Sequence, residues 1–397
     1  MLVPFLPIDQ MSGGQTRWYH MIKHLSETHE ITLMSLIKDD WEKKYIPEIE
    51  KFCKKVYVFK RPKSPWTLRN LFLTLISFNP LVVIRNFSME ERSAIKKELT
   101  IHKYDLIHAE TFYVMPHIPK TKLPIILVEP TIEYSVYQHY VDHEVPLIFK
   151  FIYQFDILKL KFWEKFYWRR ASRLFAVSEE DKEVMKKELP NRKIGVISNG
   201  VDLEFFNSKK VIKKMPQRIL YHGNYKWMQN VEAVNLLVRE IWPKIKLEVK
   251  DAKLWISGRN VPPELIEYSK TDSDIEISES IKDNRDIYKA STVLVTPIRG
   301  PGGTRLKVLE AMASGLPVVS TPVGVAGLGI QEGIQALVSS DMNEIAHMVI
   351  DLLKNPEKAE TIGKAGKEFV KNNFDWKSIV AKINTVYDQT KTIRNNS

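Results

Sequence analysis

Gly302, Gly303, Thr304, Arg305, Lys307 and Glu310 form the one cluster in this chain whose residue types and spacing describe a chemistry. Thr304 reads as a helix N-cap, and Gly315 as the left-handed stop of the same helix. Arg305 and Lys307 then fall in the first turn, where cations are disfavoured because the helix N-terminus already carries positive partial charge. A local rule broken in this way is expected at a functional site. Free backbone N–H groups, glycines that let a ligand approach and two cations together describe an anion site. Gly303, Lys307 and Glu310 are three and four residues apart and share one helix face. The expected ligand is a diphosphate against 302–307, with Glu310 one turn deeper, accepting hydrogen bonds from sugar hydroxyls. The plainer account is a capped helix with solvated charges, and the two first-turn cations weigh against it.

These residues need elements to hold them. An apolar, β-branched run over 292–296 predicts a buried strand, 297–303 a loop with three glycines and two prolines, and 316–320 a second strand. The N-terminus repeats the plan: a short strand over 1–6 interrupted by Pro4, then Ser12-Gly13-Gly14, then a helix over 15–26 with Trp18, Met21, Ile22 and Leu25 at helical spacing. Strands and helices alternate along both halves, which predicts α/β domains with parallel sheets. Asn199-Gly200-Val201-Asp202 is a strong turn and sets the expected boundary, with domains over 1–200 and 201–374 and a last helix from 375 to 397.

Further polar residues sit at expected strand ends, where open α/β sheets face their ligands. A strand over 104–109 ends at His108 and Glu110, candidates for lining an acceptor site, with a hydrogen-bonded core histidine as the alternative for His108. Arg17 lies one turn inside the first helix and reads equally as an anion contact or a solvated charge. A strand over 124–129 leads to Glu129 and Glu133. Either carboxylate could orient or deprotonate an acceptor hydroxyl, against the alternative of ordinary helix-start acids. Downstream, Gly223 and Lys226 follow a strand over 218–222, and Arg259 follows one over 252–258. Two apolar segments stand apart. The segment 66–81 reads as a core helix, with an acceptor groove or a membrane-touching face as alternatives. In 148–170, aromatic residues at helical spacing also read as core, while the interleaved Lys159, Lys161, Lys165, Arg169 and Arg170 leave peripheral contact with an anionic membrane as the alternative.

The 397 residues exceed one ordinary core, and 44% hydrophobic with 27% charged residues is the balance of a globular protein. Cys53 is the sole cysteine, so no intramolecular disulfide can form, which fits a cytoplasmic location. No signal peptide is visible, and the apolar stretch 71–84 is too short to span a bilayer. The net charge of +11 suits an anionic partner: nucleotide phosphates, a membrane surface or nucleic acid. Nucleic acid is set aside, because zinc-finger spacing and RNP-type motifs are missing and the basic residues are dispersed.

The run GGTRLKVLEAMASGLPVVST, 302–321, resembles the donor-binding segment of family 4 glycosyltransferases. The resemblance implies a GT-B fold, two Rossmann-like domains facing a cleft, with the nucleotide-sugar mainly on the C-terminal domain and the acceptor on the N-terminal one. It implies transfer from a UDP- or GDP-sugar to a glycan or lipid-linked acceptor, with retention, no metal and no cofactor. In that family two glutamates flank seven residues. Glu310 matches the second, which binds ribose, while Gly302 stands where the first would contact the sugar. The chain looks most like a branch with Gly-Thr-Arg-Leu-Lys at this place. Gly13 and Gly14 match the N-terminal glycine loop that approaches the donor, and Gly223 and Lys226 match its phosphate-facing segment. Pro130 and Thr131 replace a His-Asn pair of relatives, so no general-base histidine carries over and Glu133 is the retained acid. Arg305 and Lys307 would stabilise the leaving diphosphate. A sugar-nucleotide epimerase of the same fold and a non-catalytic nucleotide-sugar binder are the rival readings.

Overall fold

The computed structural model describes residues 1–64, 66–208, 215–279, 281, 283–300 and 305–395. The chain divides into two compact units, Met1–Asn199 with Trp376–Ser397, and Gly200–Asp375. Each is built on one parallel sheet.

In the N-terminal unit the strands are β1 (Leu2–Val3), β2 (Thr32–Ile37), β3 (Lys55–Lys60), β4 (Ile107–Glu110), β5 (Ile125–Glu129), β6 (Arg173–Ala176) and β7 (Ile194–Val196), in the order β3-β2-β1-β4-β5-β6-β7. The C-terminal unit has β8 (Arg218–Asn224), β9 (Lys253–Arg259), β10 (Ile275–Ser278), β11 (Val293–Thr296), β12 (Val318–Ser320) and β13 (Leu337–Val338), in the order β10-β9-β8-β11-β12-β13. The order reverses between β1 and β4 and again between β8 and β11, and such switch points open a crevice beyond the strand carboxyl ends. Central strands are buried on both faces because helices cover both, so they read as unbroken apolar runs: IILVE in β5, VLVT in β11. β1 pairs over only two residues, since Pro4 ends the run.

The last helix, Trp376–Asn395, belongs to the N-terminal unit. Its Trp376, Ile379, Val380 and Ile383 join Trp18, Met21, Ile22 and Leu25 in one core cluster.

Both apolar segments differ from a core reading. The segment 66–81 forms one helix, Leu68–Ile76, that leaves Leu68, Phe72, Leu75 and Ile76 exposed. Helix Leu147–Arg170 buries Ile157, Leu160, Tyr167 and Trp168 but exposes Phe151, Phe155, Leu158, Phe162 and Phe166. Aromatic residues cover both faces of that helix, so helical spacing alone did not say which face the sheet would take.

Candidate functional site

The crevice residues of the C-terminal unit gather where β8 and β9 end and helix Leu306–Ala313 begins. Arg305 is the cap residue, with extended backbone (φ −80°, ψ 99°), so the helix starts one residue later than a Thr304 cap predicts and only Lys307 lies inside its first turn. At the far end, Gly315 takes φ 75° and the N–H groups of Gly315 and Leu316 close on the carbonyls of Met312 and Ala311. This is the left-handed stop expected of glycine there. Gly302, Gly303 and Thr304 lie outside the described residues.

Lys307 Nζ donates to Asn230 Oδ1 at 2.6 Å and sits 4.7 Å from the centre of the Tyr221 ring. Tyr221 donates to the same Asn230 Oδ1 at 3.1 Å, and Asn230 Nδ2 donates to the Asn224 carbonyl at 2.8 Å. Asn230 thus ties the Lys307 ammonium to the end of β8. Burial, and then the neighbouring Arg305, push the Lys307 pKa down to about 7, against the pull of Glu310. An ammonium so destabilised gains most from an arriving anion. Arg305 donates to the Gly300 carbonyl at 2.7 Å.

Two glycines make this approach possible. A Cβ on Gly223 would lie 3.0 Å from Lys307 Nζ and 3.0 Å from Asn230 Cγ. Its partner across the β8–β9 pair, Gly258, has φ 137°, and a Cβ there would meet the Gly223 carbonyl oxygen at 1.7 Å. Beside them, His222 Nδ1 pairs with Ser257 Oγ at 2.8 Å. Burial, with Lys307 and Arg259 nearby, holds His222 down at about 3, so it is a neutral hydrogen-bonding group and no base at working pH. Glu310 receives the Tyr288 hydroxyl at 2.7 Å on Oε2. Lys226 and Arg259 are both exposed, on the turn after β8 and the last residue of β9. Sequence reasoning missed Tyr288, which reads as core within its helix, and Gly258, whose signal is a glycine at a strand end.

In the N-terminal unit, Gly13 and Gly14 are the first residues of helix Gly13–Leu25, not a loop before it, and a Cβ on Gly14 would press the Trp18 ring at 3.3 Å. Arg17 is buried, neither solvated nor open to an anion. It donates to Glu110 Oε2 (3.3 Å), Asn199 Oδ1 (2.8 Å) and the Ser198 carbonyl (2.9 Å). Glu110 also accepts from Trp18 Nε1 at 2.9 Å and meets His108 Nε2 at 3.0 Å, while His108 Nδ1 meets the Tyr387 hydroxyl at 2.5 Å. Burial opposes charge on Glu110, but Arg17, His108 and Trp18 outweigh it and hold the carboxyl below its ordinary range. Both His108 and Glu110 therefore have protein partners in a buried network joining the first and last helices to β4.

Glu133 opens helix Glu133–Glu144 beyond β5. Glu164, from helix Leu147–Arg170, accepts the backbone N–H groups of Glu133 (2.9 Å) and Tyr134 (3.1 Å), so a buried acid side chain from a neighbouring helix caps that helix. Glu129 accepts from Trp168 Nε1 at 3.0 Å. Burial raises both Glu129 and Glu164 far above the carboxylate range, with repulsion from Glu164 adding to it at Glu129 and repulsion from Glu133 adding to it at Glu164. Burial brings Glu133 to about 7, with Arg85 pulling the other way. Glu133 is thus a carboxyl that changes charge near neutrality, which suits a general base. Glu164 went unread in the sequence, as one acid inside an aromatic, basic helix.

Residues 216–355 match the family described as Glycosyl transferases group 1, and residues 11–205 match Glycosyltransferase Family 4. A 44.6 kDa protein in the cps region of Klebsiella pneumoniae is 25% identical over 394 residues, covering 95% of this chain and 96% of its own length. The UDP-Gal:alpha-D-GlcNAc-diphosphoundecaprenol alpha-1,3-galactosyltransferase of Escherichia coli is 23% identical over 75% of this chain and 79% of its own. Among solved structures, Anabaena HepE in complex with UDP-glucose superposes with a TM-score of 0.67 at 15% identity, over 98% of each chain. With one glycosyltransferase family matched in each of two parallel-sheet α/β units, the chain is a glycosyltransferase of the GT-B fold.

Proposed function

We propose that the chain moves a hexose from a nucleoside diphosphate to a hydroxyl of a glycan or lipid-linked acceptor, in polysaccharide or glycoconjugate synthesis, with retention at the anomeric carbon and without a metal. The observation that carries this is Lys307, an ammonium held by Asn230 beside Gly223 at the end of β8, one helical turn from Glu310. In the reaction the sugar–phosphate bond breaks, and the diphosphate gains charge as the acceptor oxygen bonds to the sugar. Lys307, Arg305 and the start of helix Leu306–Ala313 supply positive charge for the leaving group. Glu310, oriented by Tyr288, takes the ribose hydroxyls. The exposed Lys226 and Arg259 extend the positive rim. Glu133 receives the acceptor proton. The relatives favour this donor and acceptor class: one is named for transfer from UDP-galactose to a diphosphoundecaprenol-linked sugar, and one structural neighbour holds UDP-glucose.

Calorimetry with UDP and GDP tests the donor half. Lys307→Ala and Glu310→Ala should each weaken the preferred nucleotide by roughly ten- to a hundredfold, the worth of a charge-assisted hydrogen bond. Unchanged affinity in both variants would sink the assignment.

A further inference from the structure

Two adjoining helices of the N-terminal unit turn apolar side chains to solvent. On helix Leu147–Arg170 the residues Phe151, Phe155, Leu158, Phe162 and Phe166 recur at helical spacing along one outer stripe, with Phe151 83% exposed and Leu158 61%. From Phe151 to Phe166 the stripe runs about 23 Å. Helix Leu68–Ile76 lies against it. The Phe78 and Phe162 rings are 4.9 Å apart, Trp163 Nε1 donates to the Phe78 carbonyl at 2.7 Å, and Lys159 Nζ donates to the Ser77 carbonyl at 3.0 Å. Leu68, Phe72, Leu75 and Ile76 thereby extend the same face, and Trp66 adds to it. Of the 26 exposed large hydrophobic residues among those described, 16 fall within 66–78 and 147–166. Such concentration marks a contact surface, since scattered single residues would be the ordinary pattern.

The charges select the partner. Helix Leu147–Arg170 carries six basic residues and two acids; Lys159 is buried and Lys161 and Lys165 pair with Glu188, which leaves Lys150, Arg169 and Arg170 as its outward charges. Both acids are engaged inward: Asp156 accepts the Leu81 N–H at 3.2 Å, and the buried Glu164 caps the preceding helix. Arg69, Arg169 and Arg170 are exposed, and helix Leu68–Ile76 contains no acid. Among the described residues no helix is long and apolar enough to cross a membrane. An amphipathic helix with an aromatic face and basic flanks lies in the plane of a bilayer surface.

We propose that this face docks on an anionic lipid bilayer, its Phe and Leu stripe buried to the headgroup boundary and its arginines among the lipid phosphates. The contact needs neither nucleotide nor acceptor, so it stands or falls separately from the donor site. The test is flotation of the full chain, without nucleotide, on vesicles of phosphatidylethanolamine and phosphatidylglycerol, against pure phosphatidylcholine. The chain should float with the anionic vesicles and be released by high salt. The double substitution Phe151→Glu, Leu158→Glu should reduce retention by roughly tenfold or more, with the UDP affinity and the unfolding curve unchanged, because both side chains already face water. Arg169→Glu with Arg170→Glu should weaken binding to the anionic vesicles alone. A glutamate variant that floats as well as the wild type overturns the proposal, as does equal retention on phosphatidylcholine. So does a chain that stays off vesicles but sediments as a dimer dissociated by the glutamate pair, which would give the face to a second copy.

Discussion

Lys307 carries a proton balance that can be measured. Burial and Arg305 bring its pKa to about 7, whereas a diphosphate beside it would favour the charged form. Above pH 7 the unliganded side chain is increasingly neutral, so binding must take up a proton there. Affinity for the nucleotide should fall from pH 7 to 9, and calorimetry at pH 8 in buffers of different ionisation enthalpy should show proton uptake, absent from Lys307→Met. A second residue acts on stability. Glu91 is buried, neither of its oxygens has a hydrogen-bond partner among the described residues, and burial raises its pKa to about 8. His117, 3.5 Å away, is kept neutral by burial, which lowers its pKa to about 4 against the pull of the Val114 carbonyl, and its Nε2 accepts the Ser88 N–H. The folded-state pKa of Glu91 exceeds its unfolded value. The neutral form's stabilisation is therefore full below about pH 4.5 and is lost as pH rises through 8. Glu91→Gln should match the wild type at low pH and be the more stable of the two above pH 8, read by urea unfolding. Identical pH profiles would contradict a buried neutral acid.

The β8–β9 pair separates fold from binding at two adjoining glycines. Alanine at Gly258 would place a methyl 1.7 Å from a backbone oxygen at a φ of 137°. Gly258→Ala should therefore cost about 3 kcal/mol or more of the C-terminal unit's stability. The atoms nearest an alanine methyl at Gly223 belong to the Lys307 and Asn230 side chains and not to backbone. Gly223→Ala should leave stability within about 1 kcal/mol while weakening UDP binding, because it pushes the ammonium from its seat. Equal loss of stability in both variants would show Gly223 to be structural. Part of this site was legible in sequence. Gly223, Lys307 and Glu310 stand out by type and spacing, and Gly315 ends the helix as glycine should. The Asn230–Tyr221–Lys307 and Tyr288–Glu310 pairings were not, since each joins residues from different elements that only sheet order brings together.

At the scale of the molecule, the chain's last segment completes the first unit's core. Trp376, Ile379, Val380, Ile383 and Tyr387 are buried there, and Tyr387 also holds His108. Five such side chains are worth on the order of 10 kcal/mol, comparable with the whole stability of a domain. A chain ending at Asp375 should lose the N-terminal unit's cooperative unfolding transition while the unit Gly200–Asp375 still melts and binds nucleotide. Retention of both transitions at unchanged denaturant concentration would show the last helix to be dispensable.

The turn expected at 199–202 is instead a bridge of Val201 to Asp375 followed by the Asp202 cap of helix Leu203–Asn207. The sequence by itself determined the alternation of buried strands and helices and the glycine stop at Gly315, and it marked the cations near position 305 as candidates for an anion site. Each of these is written in local periodicity or in turn and cap chemistry. Tertiary structure alone decided what the sequence left two-sided. Arg17, which reads as an anion contact or a solvated charge, is buried on Glu110 and Asn199. The aromatic helix Leu147–Arg170, which reads as core, gives half its rings to water. The physical reason is common to both. Burial of a long cation or of an aromatic face depends on which neighbour covers it, and that neighbour is distant in the chain: Glu110 is 93 residues from Arg17, and Phe78 is 84 from Phe162.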